Sequence, residues 1–223
     1  MHIAGFNPNS FVDYPDNISA VVFIGGCNMN CWYCHNKSIL NISDFYEKAE
    51  ITEKIFKRRD FLDAVVITGG EPTLENEEEL TEFIKLIKSY NLKVKLDTNG
   101  TNHEMLKRLL PLLDYVAMDI KAPLEKYNII SIIDEEKINS IKNSISLLIK
   151  SNKDYEFRTT FAPNLSQQDI LEIAELIKGC KKYYLQQYVP IDDNEKLRAH
   201  PPSLITDTVE KVKQKVPCIA RGI

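Results

Sequence analysis

Six short runs rich in β-branched or aromatic residues recur along the chain, and helical periods lie between them. The runs are Val21-Val22-Phe23-Ile24, Ala64-Val65-Val66-Ile67, Val94-Lys95-Leu96, Tyr115-Val116-Ala117-Met118, Phe157-Arg158-Thr159-Thr160-Phe161 and Tyr183-Tyr184-Leu185. Each reads as a strand. Between them, Leu80, Phe83, Ile84, Ile87 and Tyr90 recur at helical spacing, and Ile138, Ile141, Ile145, Leu148 and Ile149 form a second stripe. Glu75, Glu77, Glu78 and Glu79 near the start of the first helix, with Lys85 and Lys88 near its end, complement its dipole. Ser166-Gln167-Gln168-Asp169 resembles an N-terminal cap before Ile170, Ile173, Ala174 and Ile177, and Gly179 makes a suitable stop. These stripes are core packing. Strands alternating with helices imply βα units and a parallel sheet, whose chemistry gathers at the carboxyl ends of the strands. Six units are too few for a full eight-stranded barrel.

The residues just past the strands are unusual in type. After the first comes Gly25-Gly26 and then Cys27-Asn28-Met29-Asn30-Cys31-Trp32-Tyr33-Cys34-His35-Asn36, with three thiols within eight residues. Three neighbouring cysteines cannot all pair, and Cys180 and Cys218 are distant, so a metal or cluster explains them better than disulfides. Structural zinc would need His35 or a distant cysteine as a fourth ligand. A 4Fe-4S cluster on three thiolates would instead keep one iron open to a substrate or cofactor.

After the second run comes Thr68-Gly69-Gly70-Glu71-Pro72, either a βα turn or a place where a ligand meets bare backbone beside a carboxylate. Asp97-Thr98-Asn99-Gly100 follows the third, where Asn-Gly is a common turn and Asp97 or Thr101 could cap a helix. Asp119-Ile120-Lys121 follows the fourth. Arg158 stands inside an otherwise apolar strand and needs an anion or acceptors, whether from a ligand or from a salt bridge.

The spacing Cys-x3-Cys-x2-Cys, with Tyr33 just before the last cysteine and His35-Asn36 after it, resembles the radical S-adenosylmethionine (SAM) enzymes. Together with Ser10-Phe11-Val12-Asp13-Tyr14-Pro15 upstream, it is similar to the activases of glycyl-radical enzymes, especially ribonucleoside-triphosphate reductase activating proteins. The resemblance implies a single-domain α/β fold, a partial, open (β/α)6 TIM-like barrel with parallel strands covering residues 1–223. It implies that Cys27, Cys31 and Cys34 hold a 4Fe-4S cluster and that Gly69, Gly70 and Glu71 match the GGE motif that holds the amino group of SAM. It places Asp97, Thr98, Asp119 and Lys121 at a site for a monovalent cation and the cofactor carboxylate, with Tyr33 and Arg158 also at the cofactor. Some activases have a histidine after the sixth strand; here the chain runs Leu185-Gln186-Gln187-Tyr188-Val189-Pro190. His2 and His103 read as surface residues, His200 as a loop residue, and Cys180 and Cys218 as buried apolar residues.

The function implied is reductive cleavage of SAM to a 5′-deoxyadenosyl radical that makes a glycyl radical on a partner enzyme. The partner expected is an anaerobic ribonucleotide reductase, with a pyruvate formate-lyase-like enzyme as alternative and a flavodoxin or ferredoxin-type protein as reductant. A radical SAM enzyme acting on a small molecule or peptide, and a non-catalytic zinc or iron-sulfur module, are the other readings. No nucleophile-base-orienter set stands out. With 223 residues, 43% of them hydrophobic, and a formal charge of -4, the chain has no overall electrostatic pull toward nucleic acid. It has no leader pattern and no run approaching about 18 apolar residues, so a cytoplasmic protein without membrane contact is expected.

Overall fold

Runs of β-branched residues that are apolar on both faces can satisfy their backbone only inside a covered sheet, and the chain builds one. A computed structural model describes residues 1–191 and 197–223. Among them the strands follow one another in the sheet in chain order. They are β1 (Ile3–Ser10), β2 (Ser19–Ile24), β3 (Ala64–Gly69), β4 (Lys93–Thr98), β5 (Tyr115–Asp119), β6 (Asp154–Phe161), β7 (Tyr183–Gln187) and β8 (Cys218–Arg221). The helices are α1 (Lys48–Arg58), α2 (Glu77–Ser89), α3 (His103–Leu109), α4 (Glu135–Lys150), α5 (Gln167–Leu176) and α6 (Pro202–Lys213). Pairings β2–β3, β3–β4, β6–β7 and β7–β8 are parallel, whereas β1 runs antiparallel to β2. All six runs read as strands from the sequence lie in β2 to β7. Two strands are additional: β1, which carries Pro8 and half-exposed polar positions, and the four-residue β8.

The chain forms two compact units. The first comprises Met1–Asn28, Asn36–Thr98 and Asn102–Ala117. Here Ala64, Val65, Val66 and Ile67 are completely buried, as are Leu80, Ile84 and Ile87 of the α2 stripe. Each such Val, Leu or Ile is worth about 1.5–3 kcal/mol of hydrophobic stabilisation. Tyr14, Val21, Ala64, Val66 and Tyr115 form a compact cluster against which Phe23 packs. The register pairs Ile24 with Gly69 and Ile67 with Leu96, so β2, β3 and β4 end at one level. The residues after them therefore share a rim.

The second unit comprises Met29–His35, Asn99–Thr101 and Met118–Ile223. In β6, Tyr155, Phe157, Thr159 and Phe161 are buried on one side, which by the period of two puts Glu156, Arg158 and Thr160 on the other. Helix α5 begins with the expected cap: Ser166 accepts from the Asp169 amide, and the Asp169 carboxylate accepts from Ser166 in return. Gly179, with φ of +92°, follows its end. In α4 the stripe buries Ile141, Ile145 and Leu148 and leaves Ile138 and Ile149 half-buried. No described helix is long and apolar enough to cross a membrane.

Candidate functional site

In the first unit the ends of β2 and β3 are locked together by backbone. The Gly70 amide donates to the Ile24 carbonyl at 2.8 Å, and the Glu71 amide donates to the Gly26 carbonyl at 2.9 Å. Gly69 has φ of +117°, and a Cβ there would stand 2.4 Å from both N and O of Ile24. A Cβ on Gly70 would stand 1.8 Å from the Gly26 carbonyl oxygen and 3.4 Å from the Cys27 Cβ. The Cβ positions of both glycines are thus taken by the end of β2 and the residues after it. The two glycines let Cys27 sit against the Gly70-Glu71 backbone. The Asn36 side chain adds a tie, donating to the Gly69 carbonyl at 3.0 Å.

Glu71 is fully buried, and its Oε1 accepts three uncharged donors: the Thr73 amide at 3.0 Å, the Thr73 hydroxyl at 2.6 Å and the Thr98 hydroxyl at 2.8 Å. Thr98 therefore acts on the carboxylate of Glu71. Asp97, two residues beyond Lys95 on the same face of β4, forms an ion pair with it at 2.8 Å and accepts from the Thr68 hydroxyl at 3.4 Å. The Lys95 ammonium also donates to the Asp13 carbonyl at 2.6 Å. Asp97 does not cap α3; the Asn102 side chain does, accepting from the Met105 amide.

In the second unit, the loop carrying Cys31, Tyr33 and Cys34 is pinned at three points. The Asn30 amide donates to the Ser131 hydroxyl at 3.0 Å, the Trp32 amide to the Ile130 carbonyl at 3.3 Å, and the His35 ring Nε2 lies 3.1 Å from the Val189 carbonyl. Tyr33 packs edge-on to Trp32 at 5.2 Å and lies 6.4 Å from Tyr188. Its buried hydroxyl has no hydrogen-bond partner among the described residues. Such an orphan is costly unless a ligand supplies a polar atom.

Asp119 stands at the end of β5 between two cations. Arg158 Nε donates to its Oδ1 at 2.7 Å, and Lys121 Nζ donates to its Oδ2 at 2.9 Å. Backbone fixes the arrangement: the Ile120 amide donates to the Arg158 carbonyl at 2.8 Å, and the Lys121 amide to the Tyr127 hydroxyl at 3.1 Å. Burial opposes ionisation of Asp119, but Arg158 and Lys121 outweigh it and hold the carboxyl well below its usual range. Burial likewise opposes the charge of Lys121, and Asp119, with help from Tyr33 and Cys31, raises its pKa well above the ordinary value. The Cys31 thiol is pushed up by burial, with the Lys121 ammonium the largest influence in the other direction. Asp119 is thus one acceptor for Arg158, as the salt-bridge alternative of the sequence reading has it.

None of the five cysteines, all among the described residues, is in a disulfide. Cys27 belongs to the first unit and Cys31 and Cys34 to the second. Among the described residues no three His, Cys, Asp or Glu side chains are gathered as ligands of a single ion. The donor set fits a cluster in its chemistry, and the orphan Tyr33 hydroxyl fits a polar ligand beside it in sequence. Cys180 and Cys218 are buried as expected, and burial pushes their thiols up to about 11 and about 12. His2 is exposed and His200 lies in a loop, whereas His103 is the half-buried first residue of α3 rather than a surface residue. Lys95, Thr73 and Tyr188 had no role in the sequence reading, whereas Asn36 was read there only as part of the cysteine-loop tail. Of the first three, only Lys95 left a signal there, as a lysine on the same strand face as Asp97.

Residues 21–177 match the model of the radical SAM superfamily. A putative glycyl-radical enzyme activating enzyme of Methanocaldococcus jannaschii is 41% identical over 85% of this chain and 81% of its own length. The pyruvate formate-lyase-activating enzyme of Clostridium pasteurianum is 26% identical over 92% of this chain and 90% of its own. Among solved structures, Streptococcus suis SuiB bound to S-adenosylmethionine superposes with a TM-score of 0.69 at 12% identity, over 88% of this chain. The chain spans about half of SuiB, 48% of its length, and at that identity the likeness concerns the fold.

Proposed function

Because the chain belongs to the radical SAM superfamily and, within it, groups with the glycyl-radical enzyme activating enzymes, we propose that residues 1–223 form one domain that binds a 4Fe-4S cluster and SAM and generates a glycyl radical on a partner enzyme. Membership of the superfamily implies the cluster and the cofactor; the residues that hold them are part of the proposal. Cys27, Cys31 and Cys34 are the cluster ligands. Glu71, oriented by Thr73 and Thr98 and carried on Gly69-Gly70, receives the amino group of SAM. Lys121 and Arg158, aligned by Asp119, receive its carboxylate, and Tyr33 offers its buried hydroxyl.

The observation that carries this reading is the backbone lock between Gly26 and Glu71, which fixes the first cysteine and the buried glutamate in one frame. A cluster ligand and a carboxylate for an ammonium group are what a chelated amino acid requires. A reduced cluster and SAM held by these residues would supply one-electron cleavage of the sulfonium and hydrogen abstraction from a partner glycine. The chain contributes aim and exclusion of water, through buried Tyr33 and Glu71 and through cations set by backbone.

Anaerobic ribonucleoside-triphosphate reductase is the partner proposed, on the strength of the Cys-loop tail His35-Asn36 and the Ser10–Pro15 stretch, and a flavodoxin or ferredoxin-type protein is the proposed reductant. A pyruvate formate-lyase-like partner is the second reading, favoured by the similarity to the Clostridium pasteurianum enzyme along most of both chains. A cytoplasmic setting goes with either. As for the monovalent cation, the amino-acid cations already at Asp97 and Asp119 weigh against it. The test is anaerobic reconstitution with iron and sulfide and reduction with dithionite, then addition of SAM and each candidate partner. The expected result is a partner-dependent glycyl doublet in the EPR spectrum with one of the two partners. One equivalent of zinc, with no iron-dependent absorption, would refute the cluster.

A further inference from the structure

The stretch Ser10–Pro15 and the buried Lys95 are left without a task by this reading, and they are joined. The Ser10 hydroxyl lies 2.5 Å from Asp13 Oδ2 and accepts from the amides of Val12 and Asp13, which folds the link between β1 and β2 into a fixed turn. Tyr14 is buried beneath it, 5.5 Å from the Tyr115 ring. The turn thereby presents the Asp13 carbonyl to the Lys95 ammonium at 2.6 Å. The Lys95 side chain is 2% exposed, the Asp97 side chain 13%. A lysine so deeply buried loses most of its hydration and persists only where acceptors replace it. Here a carbonyl and a carboxylate do so, and the ring of Tyr115 lies 6.0 Å away.

We propose that Lys95 is the resident counter-ion of Asp97, its ammonium taking the part of the monovalent cation that the family resemblance implies at this carboxylate, so that cofactor binding needs no added sodium or potassium. The inference rests on the assignment of Asp97 to the SAM site. An ammonium and a potassium ion are similar in charge and in their demand for oxygen ligands, and the Asp13 carbonyl with the Asp97 carboxylate is a ligand set suited to either. The covalently attached cation has the advantage of being always present. It also gives the Ser10–Pro15 turn a function, that of holding Lys95 upright under Asp97.

The test compares the reconstituted wild-type protein with Lys95→Met, which keeps the length of the side chain and removes its charge. SAM affinity is measured by equilibrium dialysis at constant ionic strength in choline, sodium or potassium chloride. Wild-type affinity is expected to be the same in all three. The variant should bind about tenfold more weakly in choline, the scale of one lost charge-assisted hydrogen bond, and recover in sodium or potassium. A wild-type protein that requires sodium or potassium, or a folded variant whose loss no cation restores, overturns the proposal. Sodium-23 NMR line widths of the wild-type protein without SAM decide the matter independently of the variant's folding. No saturable sodium site is expected, and a site abolished by Asp97→Asn would contradict the role given to Lys95. Failure of both proteins to bind SAM in every salt would count against the cofactor reading, while the NMR result would still judge Lys95.

Discussion

The two units hold the carboxylates at their strand ends in different ways. In the first, Oε1 of Glu71 accepts from an amide and two hydroxyls. In the second, Asp119 is held by a guanidinium and an ammonium. Under the proposed function the first carboxylate would receive the amino group of SAM, and the cations of the second group its carboxylate. The contrast shows how one residue type at equivalent strand ends takes different tasks from its neighbours.

The contrast breaks most sharply at Asp119. Asp119→Asn strands two cations and should cost about 2–3 kcal/mol of stability at pH 7, less than a fully buried pair because the side chain is 30% exposed. Urea denaturation measures it. Since the folded pKa of Asp119 is depressed, its contribution is complete above the unfolded value of about 3.9 and is lost as pH falls through the folded one, so wild type and variant should converge below about pH 4. A gap that stays constant down to pH 2.5 would mean that Asp119 is not the anchor of the group.

Glu71→Gln should do the reverse, changing stability by under about 1 kcal/mol because the amide carbonyl accepts the same bonds, while weakening SAM binding by tenfold or more, about 1.4–3 kcal/mol, through loss of the charge. Unchanged affinity by isothermal titration would remove Glu71 from the site. Arg158→Met should weaken SAM binding by about fivefold to tenfold, with Arg158→Lys recovering part of it, because a lysine returns the charge but not the fork. The smallest effect is expected at Thr98→Val. Losing one of three donors to Glu71 should weaken SAM binding by about threefold, near the low end for a neutral hydrogen bond.

The six strands from β2 to β7 were legible because a sheet buried on both faces demands continuous β-branched runs, and Ala64 to Ile67 supplies one. Strand β1 was not, since Asn7-Pro8-Asn9 breaks its pattern and its pairing with β2 shifts register twice. Four residues of β8 are too few for a periodic signal. In the site, the residue types at the strand ends were legible, but their partners were not. Lys93-Val94-Lys95-Leu96 reads as alternation toward water, and only the fold reveals that Lys93 meets solvent while Lys95 meets Asp97. The glycines were read as places where a ligand meets bare backbone, whereas the structure shows a Cβ excluded there by the chain itself. What excludes it, the backbone of Ile24 and Gly26, lies far back along the chain and is invisible without the register.

The most direct test of the account is formation of 5′-deoxyadenosine by the anaerobically reconstituted, dithionite-reduced protein given SAM, followed by chromatography. Formation is expected to depend on iron and on each of Cys27, Cys31 and Cys34, with Cys31→Ala losing both iron and product. An intact reduced cluster with SAM bound and no 5′-deoxyadenosine formed, with or without a glycyl-radical partner, would contradict it.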